Sequence, residues 1–247
     1  MLQRAIVIGA SSGIGAALVD VLAREGYDVA MVARRVEPMS AQAERLGKQY
    51  PGRNFLAVAH DVTASAEVEA CFEHLCQDLG GLDLVVYAAG VMPRVDESTW
   101  DTAIDTRMVA TNLIGAMAWL NAAARRFEVA GQGTIAGISS VAGDRGRRGN
   151  PAYAASKAAL TTWLEAARNR LGQHGVRVVT IKPGPVRTPM TEGLGRLPLI
   201  IDADVAAEAC WRAIRRGAVT AYVPWQWRPI MAIIRAVPSF IFRRLSF

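Results

Sequence analysis

A tyrosine and a lysine four residues apart have the types and spacing for acid–base chemistry. Tyr153-Ala-Ala-Ser-Lys157 opens an Ala-rich helical pattern, so the phenol and the ammonium share one helical face. A nearby cation favours phenolate, and we expect Lys157 to lower the pKa of Tyr153 and make it a usable acid or base. An exposed helix pair without function is the alternative. Ser139-Ser140 closes a preceding strand-like run, and Asn112 lies on the helical segment before that run.

A glycine-rich turn near the start of the chain predicts a dinucleotide site. The turn, Gly9-Ala-Ser-Ser-Gly13-Ile-Gly15, follows a strand-like run and leads into a helical pattern. Glycines allow a tight turn and a close approach of backbone N–H groups to a pyrophosphate, which the helix N-terminus attracts. An ordinary βα turn is the alternative, but the strand before and the helix after favour the dinucleotide. The candidate cofactor contacts are Gly9, Ser11, Ser12, Gly13, Ile14 and Gly15.

Two arginines after the second strand-like run indicate which dinucleotide binds. The run ends in Val32-Ala33-Arg34-Arg35, where a site that selects NAD has an acidic residue for the adenosine ribose. Guanidinium groups instead suit a 2′-phosphate, which they bind through paired, charged hydrogen bonds. A solvated surface pair is the alternative. We therefore predict NADP(H), with Arg34 as the first choice of ligand and Arg35 beside it.

The elements that carry these residues alternate along the chain. Apolar runs at Ala5–Ile8, Val29–Ala33, Phe55–Ala59, Leu82–Ala88, Thr134–Ile138, Val176–Ile181 and Thr220–Val223 are separated by helical patterns at 14–25, 40–50, 65–79, 99–130, 153–172 and 203–216. Most runs lack polar alternation, which is typical of a parallel sheet covered on both faces. The pattern predicts a single-domain α/β fold over residues 1–224, a Rossmann-type doubly wound parallel sheet with helices on both faces. The Pro-rich segment 182–189 ends the sixth strand, and residues 188–201 predict a mobile lid.

In their order along the chain, these motifs resemble the short-chain dehydrogenase/reductase family. Further matching motifs are His60-Asp61-Val62-Thr63, Ala88-Ala89-Gly90 and Pro183-Gly184-x-Val186-x-Thr188. Ser140 stands thirteen residues before Tyr153, which is the family-like spacing, so Ser140 rather than Ser139 is the matching serine. The arginine after the second strand matches the NADP-preferring branch. The resemblance covers roughly residues 2–224.

The resemblance implies an NADPH-dependent carbonyl reductase that also oxidises the corresponding alcohol. Tyr153 would protonate the carbonyl oxygen, Ser140 would hydrogen-bond that oxygen, and Lys157 would hold the nicotinamide ribose. Asn112 would hold a water in a proton relay behind Lys157. The other implied cofactor contacts are Asp61 and Val62 at the adenine, Ala89 and Gly90 along the cofactor, and Val186 and Thr188 at the carboxamide, with Pro183 and Gly184 in the same stretch. The family also implies a homodimer or homotetramer through the Asn112 and Tyr153 helices.

The chain departs from the family pattern at Tyr87. The family has an asparagine there that ties neighbouring strands together, so this local structural hydrogen bond is in doubt. All four catalytic positions are kept, and we therefore expect activity. Between Ser140 and Tyr153 lie three arginines, which either form a solvated loop, the favoured interpretation, or attract an anionic substrate such as an acyl carrier or a coenzyme A thioester. They are Arg145, Arg147 and Arg148.

The tail after Pro224 combines aromatic, aliphatic and arginine side chains without an acidic residue. Segment 225–247, broken by Pro238, has room for one or two short helices, too short to span a bilayer. A slightly favoured interpretation places it on a membrane surface, where Trp anchors and Arg meets anionic lipid. Alternatively, it packs across a neighbouring subunit or roofs the active site. Both alternatives favour a hydrophobic or acyl-type substrate.

The net charge of +6 comes from the end of the chain. Residues 209–247 contain seven arginines and no acidic residue, whereas residues 1–208 contain 21 basic and 22 acidic residues. No nucleic-acid recognition motif accompanies the basic residues, so we expect no nucleic-acid partner. The three cysteines and three histidines lack metal-site spacing, which argues against a metal and for a reducing compartment. We expect a cytoplasmic protein, peripheral at the inner face of a membrane if the tail binds lipid.

These observations together predict an NADP-dependent oxidoreductase that reduces a small-molecule carbonyl, with a hydrophobic or acyl-type substrate. A non-catalytic regulatory or scaffold protein that binds a dinucleotide on the same fold is the alternative. The intact set of Asn112, Ser140, Tyr153 and Lys157 argues against that alternative.

Overall fold

A parallel β-sheet forms the centre of the molecule. The computed structural model describes residues 3–244. The strands in that part of the chain are β1 (Gln3–Ile8), β2 (Tyr27–Ala33), β3 (Phe55–Ala59), β4 (Leu84–Tyr87), β5 (Gly133–Ile138), β6 (Val176–Pro183), β7 (Val186–Arg187), β8 (Ile201–Asp202) and β9 (Thr220–Val223). Seven of them form one parallel sheet of order β3-β2-β1-β4-β5-β6-β9, and β7 pairs with β8 in a separate parallel ladder. All seven predicted strands and the doubly wound fold are confirmed.

Helices cover both faces of this sheet. They are α1 (Gly13–Arg24), α2 (Glu37–Gln49), α3 (Val68–Asp78), α4 (Thr102–Val109), α5 (Gly115–Ala130), α6 (Pro151–Leu171), α7 (Ala203–Arg215), α8 (Trp227–Ala236) and α9 (Ser239–Phe242). Consecutive residues of β1 serve different cores: Ala5 and Val7 pack against α1 and α7, whereas Ile6 and Ile8 pack against α3 and α5. Burial on both faces explains why the strands lack polar alternation.

The strand order reverses between β1 and β4. From β1 the sheet grows through β2 to β3 in one direction, and from β4 through β5, β6 and β9 in the other. The connections therefore leave the sheet on opposite sides, and a crevice opens at the carboxyl ends of these two strands. Every segment that carries a predicted catalytic or cofactor residue begins or ends near this crevice.

Several element boundaries differ from the predictions, and two of the differences lie near the predicted site residues. The helix predicted over 99–130 starts at Thr102, because the Asp101 carboxylate accepts hydrogen bonds from the first free backbone N–H groups. A π-helical segment, Ala110–Ile114, then separates α4 from α5. Strand β6 extends two residues beyond its predicted end and pairs Pro183 with Val223. Proline has no N–H to donate to the sheet, so β6 ends at Pro183.

The tail folds back onto the domain. Trp227 and Met231 of α8 are buried against Val141, with Tyr222 and Ile234 packed beside them. This packing favours the interpretation in which the tail roofs the active-site region. Within residues 3–244, no helix has the length and apolarity to cross a bilayer. The same residues contain no group of three or more His, Cys, Asp or Glu side chains that could hold a metal ion.

Candidate active site

A cavity of about 810 Å³ occupies the crevice at the carboxyl ends of the strands. Its wall contains all of the predicted cofactor residues and three of the four predicted catalytic residues. These are Gly9, Ser11, Ser12, Gly13, Ile14, Gly15, Arg34, Arg35, Asp61, Val62, Ala89, Gly90, Ser140, Tyr153, Lys157, Pro183, Gly184, Val186 and Thr188. Asn112 is the exception, because it lies behind the wall.

The glycine turn between β1 and α1 leaves a cradle that a side chain would fill. A Cβ on Gly15 would lie 2.2 Å from the carbonyl oxygen of Gly9, and one on Gly9 would lie 2.4 Å from the Ala89 backbone nitrogen. Gly9 also has a φ of +90°, which L side chains rarely adopt. The Ser12 side chain makes no capping bond to α1, so the helix N-terminus is left to an external anion. The turn therefore fits a dinucleotide pyrophosphate.

The arginines after β2 reach the same cavity. Arg34 and Arg35 are exposed, and Arg35 donates a hydrogen bond to the Ser11 Oγ at 3.4 Å. Asp61 lies near Arg34; its pKa is lowered chiefly because the backbone N–H and the hydroxyl of Thr63 donate to the carboxylate, at 2.9 and 2.8 Å. The Arg34 charge lowers it further. An adenosine 2′-phosphate near Arg34 would meet guanidinium donors.

The two serines at the end of β5 point to different parts of the molecule. The Ser139 hydroxyl donates to the Lys157 carbonyl at 2.8 Å, so it anchors the strand to α6. The Ser140 hydroxyl accepts from the Ala142 backbone N–H at 3.1 Å and interacts with the Tyr153 side chain. Ser140 is therefore the serine that faces the reactive phenol, as the family spacing implied.

The Tyr153 phenol is buried in the cavity wall. Burial raises its pKa, and the hydrogen bond with Ser140 offsets part of that rise. The prediction that Lys157 lowers this pKa is therefore wrong for this structure. The Lys157 Nζ lies 5.9 Å from the centre of the Tyr153 ring and donates instead to the Ile138 carbonyl at 2.9 Å. Because it too is buried, the pKa of Lys157 falls to about 8.

Asn112 holds the loop after β4 in place. Its side-chain Oδ1 accepts from the Val91 backbone N–H at 2.8 Å, while Nδ2 donates to the Val91 carbonyl at 3.0 Å and to the Ser156 hydroxyl at 3.2 Å. A Cβ on Gly90 would lie 3.3 Å from the Asn112 Oδ1 and 3.4 Å from the Lys157 Nζ, so the glycine keeps this corner open. The proton-relay water at Asn112 stays a prediction.

Tyr87 makes a different tie from the one expected of the family asparagine. Its hydroxyl donates to the Thr111 carbonyl at 2.6 Å, inside the π-helical segment. The side chain is fully buried, and burial raises its pKa. The substitution therefore anchors β4 to the helix that carries Asn112.

Of the three loop arginines before Tyr153, Arg148 is exposed, whereas Arg145 and Arg147 are partly buried, so the favoured interpretation of a solvated loop is wrong for those two. Arg145 donates to the carbonyls of Ile234 and Val237, both at 2.5 Å, at the C-terminal end of α8. Arg148 donates to the Arg243 carbonyl at 2.7 Å. Carbonyls at a helix C-terminus lack intrahelical partners and attract cations, so these contacts fasten the tail to the loop. Arg147 differs from both, because it lines the cavity.

A buried ionic cluster behind Ser140 escaped the sequence analysis. The Asp144 carboxylate contacts the Lys182 Nζ at 2.5 Å and accepts a hydrogen bond from the Tyr222 hydroxyl at 2.8 Å. Burial and Asp144 together raise the pKa of Tyr222 to about 12. Asp144 ends the 3₁₀ turn Val141–Asp144, which starts next to Ser140, so the cluster fixes that turn to β6 and β9. Lys182 directly after the strand-like run Val176–Ile181 was the available signal, since an ammonium buried at the end of a strand needs a partner.

Comparison with known proteins identifies the family. Residues 3–196 match the family model described as short chain dehydrogenase. The chain belongs to this family. An oxidoreductase of Mycobacterium tuberculosis is 30% identical over 246 residues, which is 99% of this chain and 97% of the relative. The human 3-oxoacyl-[acyl-carrier-protein] reductase is 34% identical over 188 residues, or 76% of this chain and 77% of that protein.

One solved structure has the same architecture as this short-chain dehydrogenase over almost its whole length. The bulky-bulky ketone specific alcohol dehydrogenase from Comamonas testosteroni superimposes with a TM-score of 0.80 and 26% identity. The match covers 96% of each chain. Family membership makes the chain an oxidoreductase of the type that binds a nicotinamide dinucleotide.

Proposed function

We propose that this short-chain dehydrogenase is an NADPH-dependent reductase of a hydrophobic or acyl-type carbonyl compound, and that it also catalyses the reverse alcohol oxidation. One observation carries the proposal. A single cavity brings the glycine turn and Arg34 together with Ser140, Tyr153 and Lys157. The first two suit an NADP pyrophosphate and its 2′-phosphate, and the other three suit proton transfer to a carbonyl oxygen.

The family resemblance assigns the cofactor contacts, and their position in the cavity wall supports the assignment. The backbone of the Gly9–Gly15 turn would hold the pyrophosphate, Arg34 the 2′-phosphate and Lys157 the nicotinamide ribose. Asp61 and Val62 would contact the adenine, and Val186 and Thr188 the carboxamide. The chemistry supplied by a bound nicotinamide cofactor is hydride transfer to the carbonyl carbon.

The side chains of the protein complete the reaction at the carbonyl oxygen. Tyr153 donates its phenolic proton to that oxygen, and its raised pKa keeps the phenol protonated at neutral pH. Ser140 donates a hydrogen bond to the same oxygen and stabilises the negative charge that develops there. Lys157, with a pKa of about 8, is largely protonated at pH 7 and can supply the proton that returns the Tyr153 phenolate to the phenol, through the relay predicted at Asn112.

The substrate end of the cavity favours an apolar compound. Its wall includes Met190, Leu194, Leu197, Pro198 and Trp227. Two proteins with similar sequences or structures bear names that refer to an acyl ketone and to bulky ketones. Both support a carbonyl substrate with a sizeable apolar body. The segment predicted as a lid, residues 188–201, supplies most of this apolar wall.

The Tyr153→Phe variant tests the proposal. A panel of apolar ketones is offered with NADPH, and consumption of NADPH is followed by absorbance. We expect about a 10²–10⁴-fold loss of rate, because the general acid is removed, while NADPH binding measured by calorimetry stays within about threefold. Tyr50→Phe, outside the cavity, is the matched control and should retain full activity. An undiminished rate in Tyr153→Phe refutes the mechanism, and a wild-type protein that binds NADPH but reduces no ketone supports the scaffold alternative.

We also propose that the outer face of the tail contacts anionic lipid. Trp225, Ile233 and Phe240 are 71%, 68% and 60% exposed. Arg228 and Arg244 are exposed too, and the segment has no acidic residue to repel a negative surface. Contact between the tail and lipid would make this a cytoplasmic protein that is peripheral to a membrane. Assembly as a homodimer or homotetramer through α5 and α6 remains a prediction from the family.

A further inference from the structure

Arg147 places a partly buried cation in the wall of the active-site cavity. It lines the same cavity as Ser140 and Tyr153. Burial lowers the pKa of its guanidinium, although that group stays charged at any physiological pH. A charge in such a place is costly unless a partner compensates for the lost hydration.

The protein supplies Arg147 with little compensation. Its Nη2 atom contacts the Met231 sulfur at 3.8 Å, and a thioether sulfur is a weak acceptor. Its Nε atom is buried without a hydrogen-bond partner, and within residues 3–244 no carboxylate lies within ion-pair distance. Asp144 attracts Arg147 from farther away, but its two oxygens already contact Lys182 and Tyr222.

The two neighbouring arginines of the loop do have oxygen acceptors, which the tail provides. Arg145 has carbonyl oxygens at 2.5 Å and the Phe242 ring 3.9 Å away, and Arg148 has a carbonyl oxygen at 2.7 Å. Arg147 is the member of this set that turns to the cavity instead of to the tail carbonyls. Arg147 therefore borders the cavity with a sulfur contact in place of the oxygen acceptors that Arg145 and Arg148 have.

A second donor in the wall is also unsatisfied. The Trp227 indole N–H is buried without a partner, and the side chain, 4% exposed, lines the same cavity. The remaining wall in this part is apolar and includes Val141, Met190 and Leu197. A ligand that matches this wall presents oxygen acceptors to the Arg147 guanidinium and an apolar body to the neighbouring side chains.

We propose that Arg147 binds a carboxylate on the carbonyl substrate, so that the preferred substrates are keto acids with an apolar body. A guanidinium can hold a carboxylate through two parallel N–H···O bonds, which orients the carbonyl as well as adding affinity. This inference rests on the proposed reductase function and narrows its substrate class. Arg147 is thereby a specificity-determining residue, distinct from the groups that transfer the proton.

A matched substrate series tests the inference. An apolar keto acid, its methyl ester and its primary amide are compared by kcat/KM in the wild type, in Arg147→Met and in the control Arg148→Met, which removes a charge from the same loop. We expect the wild type to prefer the acid by about 10–100-fold, the range of a charge-assisted hydrogen-bonded pair. Arg147→Met should lose that preference and keep its rate with the ester within about threefold. Arg148→Met should keep the wild-type acid-to-ester ratio.

A binding measurement separates this inference from the proposed function. Decanoate is titrated by calorimetry into wild type and Arg147→Met in the presence of saturating NADPH, and we expect at least tenfold weaker binding to the variant. If ketones are reduced but the wild type shows no preference for the acid, the inference is overturned and the reductase function stands. If no ketone is reduced, the function fails, and equal decanoate affinities then overturn the role of Arg147 as well. Should Arg147→Met not fold, Arg147→Gln replaces it in both measurements.

Discussion

The two ends of the cavity are built in different ways. The part of the cofactor end proposed for the pyrophosphate and the adenosine consists of the loops after β1, β2, β3 and β4, all within the first 90 residues. At the substrate end, polar contacts between residues 78 to 95 positions apart join the loop after β5 to β9 and to the tail. The close approaches that only glycine permits thus fix the shape of the cofactor end, whereas long-range polar contacts fix the shape of the substrate end. Substitutions at the two ends should therefore affect different measurable properties.

The largest effect should come from the buried cluster at the substrate end. In Asp144→Ala the Lys182 ammonium loses its carboxylate while 9% exposed. We expect the free energy of unfolding, measured with urea, to fall by about 3–5 kcal/mol, because an uncompensated buried charge remains. At temperatures where the variant is folded, reductase activity should fall as well, since the Ser140 turn is no longer fixed.

An exposed ion pair of similar length provides the control. Arg187 and Asp202 approach to 2.6 Å, but their side chains are 67% and 61% exposed. Asp202→Ala should therefore cost less than about 1 kcal/mol. Equal losses in the two variants would show that burial of the Asp144 cluster adds nothing to stability.

At the cofactor end, Arg34→Asp should alter specificity and leave stability unchanged. The variant replaces the proposed 2′-phosphate donor with a repelling carboxylate, so we expect the ratio of NADPH to NADH affinity to fall about 10–100-fold. Calorimetric titration of both cofactors measures this ratio. Because Arg34 is exposed, the free energy of unfolding should change by less than about 0.5 kcal/mol.

The Arg45→Asp variant distinguishes a local contact from a general charge effect. Arg45 lies on α2, pairs with Asp20 and is outside the cavity wall, yet the change in net charge is the same. The cofactor ratio should stay at the wild-type value in this variant. A similar loss in both variants would assign the preference to overall electrostatics and remove Arg34 as the phosphate ligand.

The pH dependence of reduction should also originate near the cofactor end. Lys157 is charged below its pKa of about 8 and loses its proton as the pH rises through that value. The pKa of Tyr153 is raised, so the phenol remains protonated over the same range. We expect kcat/KM for reduction to be level below about pH 7 and to fall by up to about tenfold per pH unit above pH 8. A level profile to pH 10 would show that the charge on Lys157 is not needed.

The same contrast explains how far the sequence could predict the structure. Strand runs such as Val29–Ala33 are apolar on both faces, and the glycine turn has its chemistry within seven residues, so local patterns suffice there. Ser140 was distinguishable from Ser139 through its spacing to Tyr153. The partner of Asp144 is 38 residues away, and the acceptor of the Arg148 guanidinium is 95 residues away, so no local pattern indicates these contacts.

Burial also reversed one electrostatic prediction. The helical spacing of Tyr153 and Lys157 correctly puts the two side chains near each other, at 5.9 Å from ring centre to Nζ. The sign of the pKa change, however, depends on how much water each group loses on folding. That quantity is set by the surrounding loops and helices, which come from distant parts of the chain. Spacing alone therefore predicts proximity better than it predicts protonation.

The smallest effect should appear on the outer face of the tail. Ile233→Asp combined with Phe240→Asp places two charges on side chains that are 68% and 60% exposed, so activity on soluble ketones should be unchanged. Sedimentation with vesicles rich in anionic lipid should fall about threefold to tenfold, because apolar contact with the interface is lost and repulsion is added. Val129→Asp, at a side chain 91% exposed at the end of α5, is the control and should sediment like the wild type. If the wild type itself does not sediment with these vesicles, the lipid proposal is wrong. The function of the tail then lies in the inner face of α8, which closes the cavity.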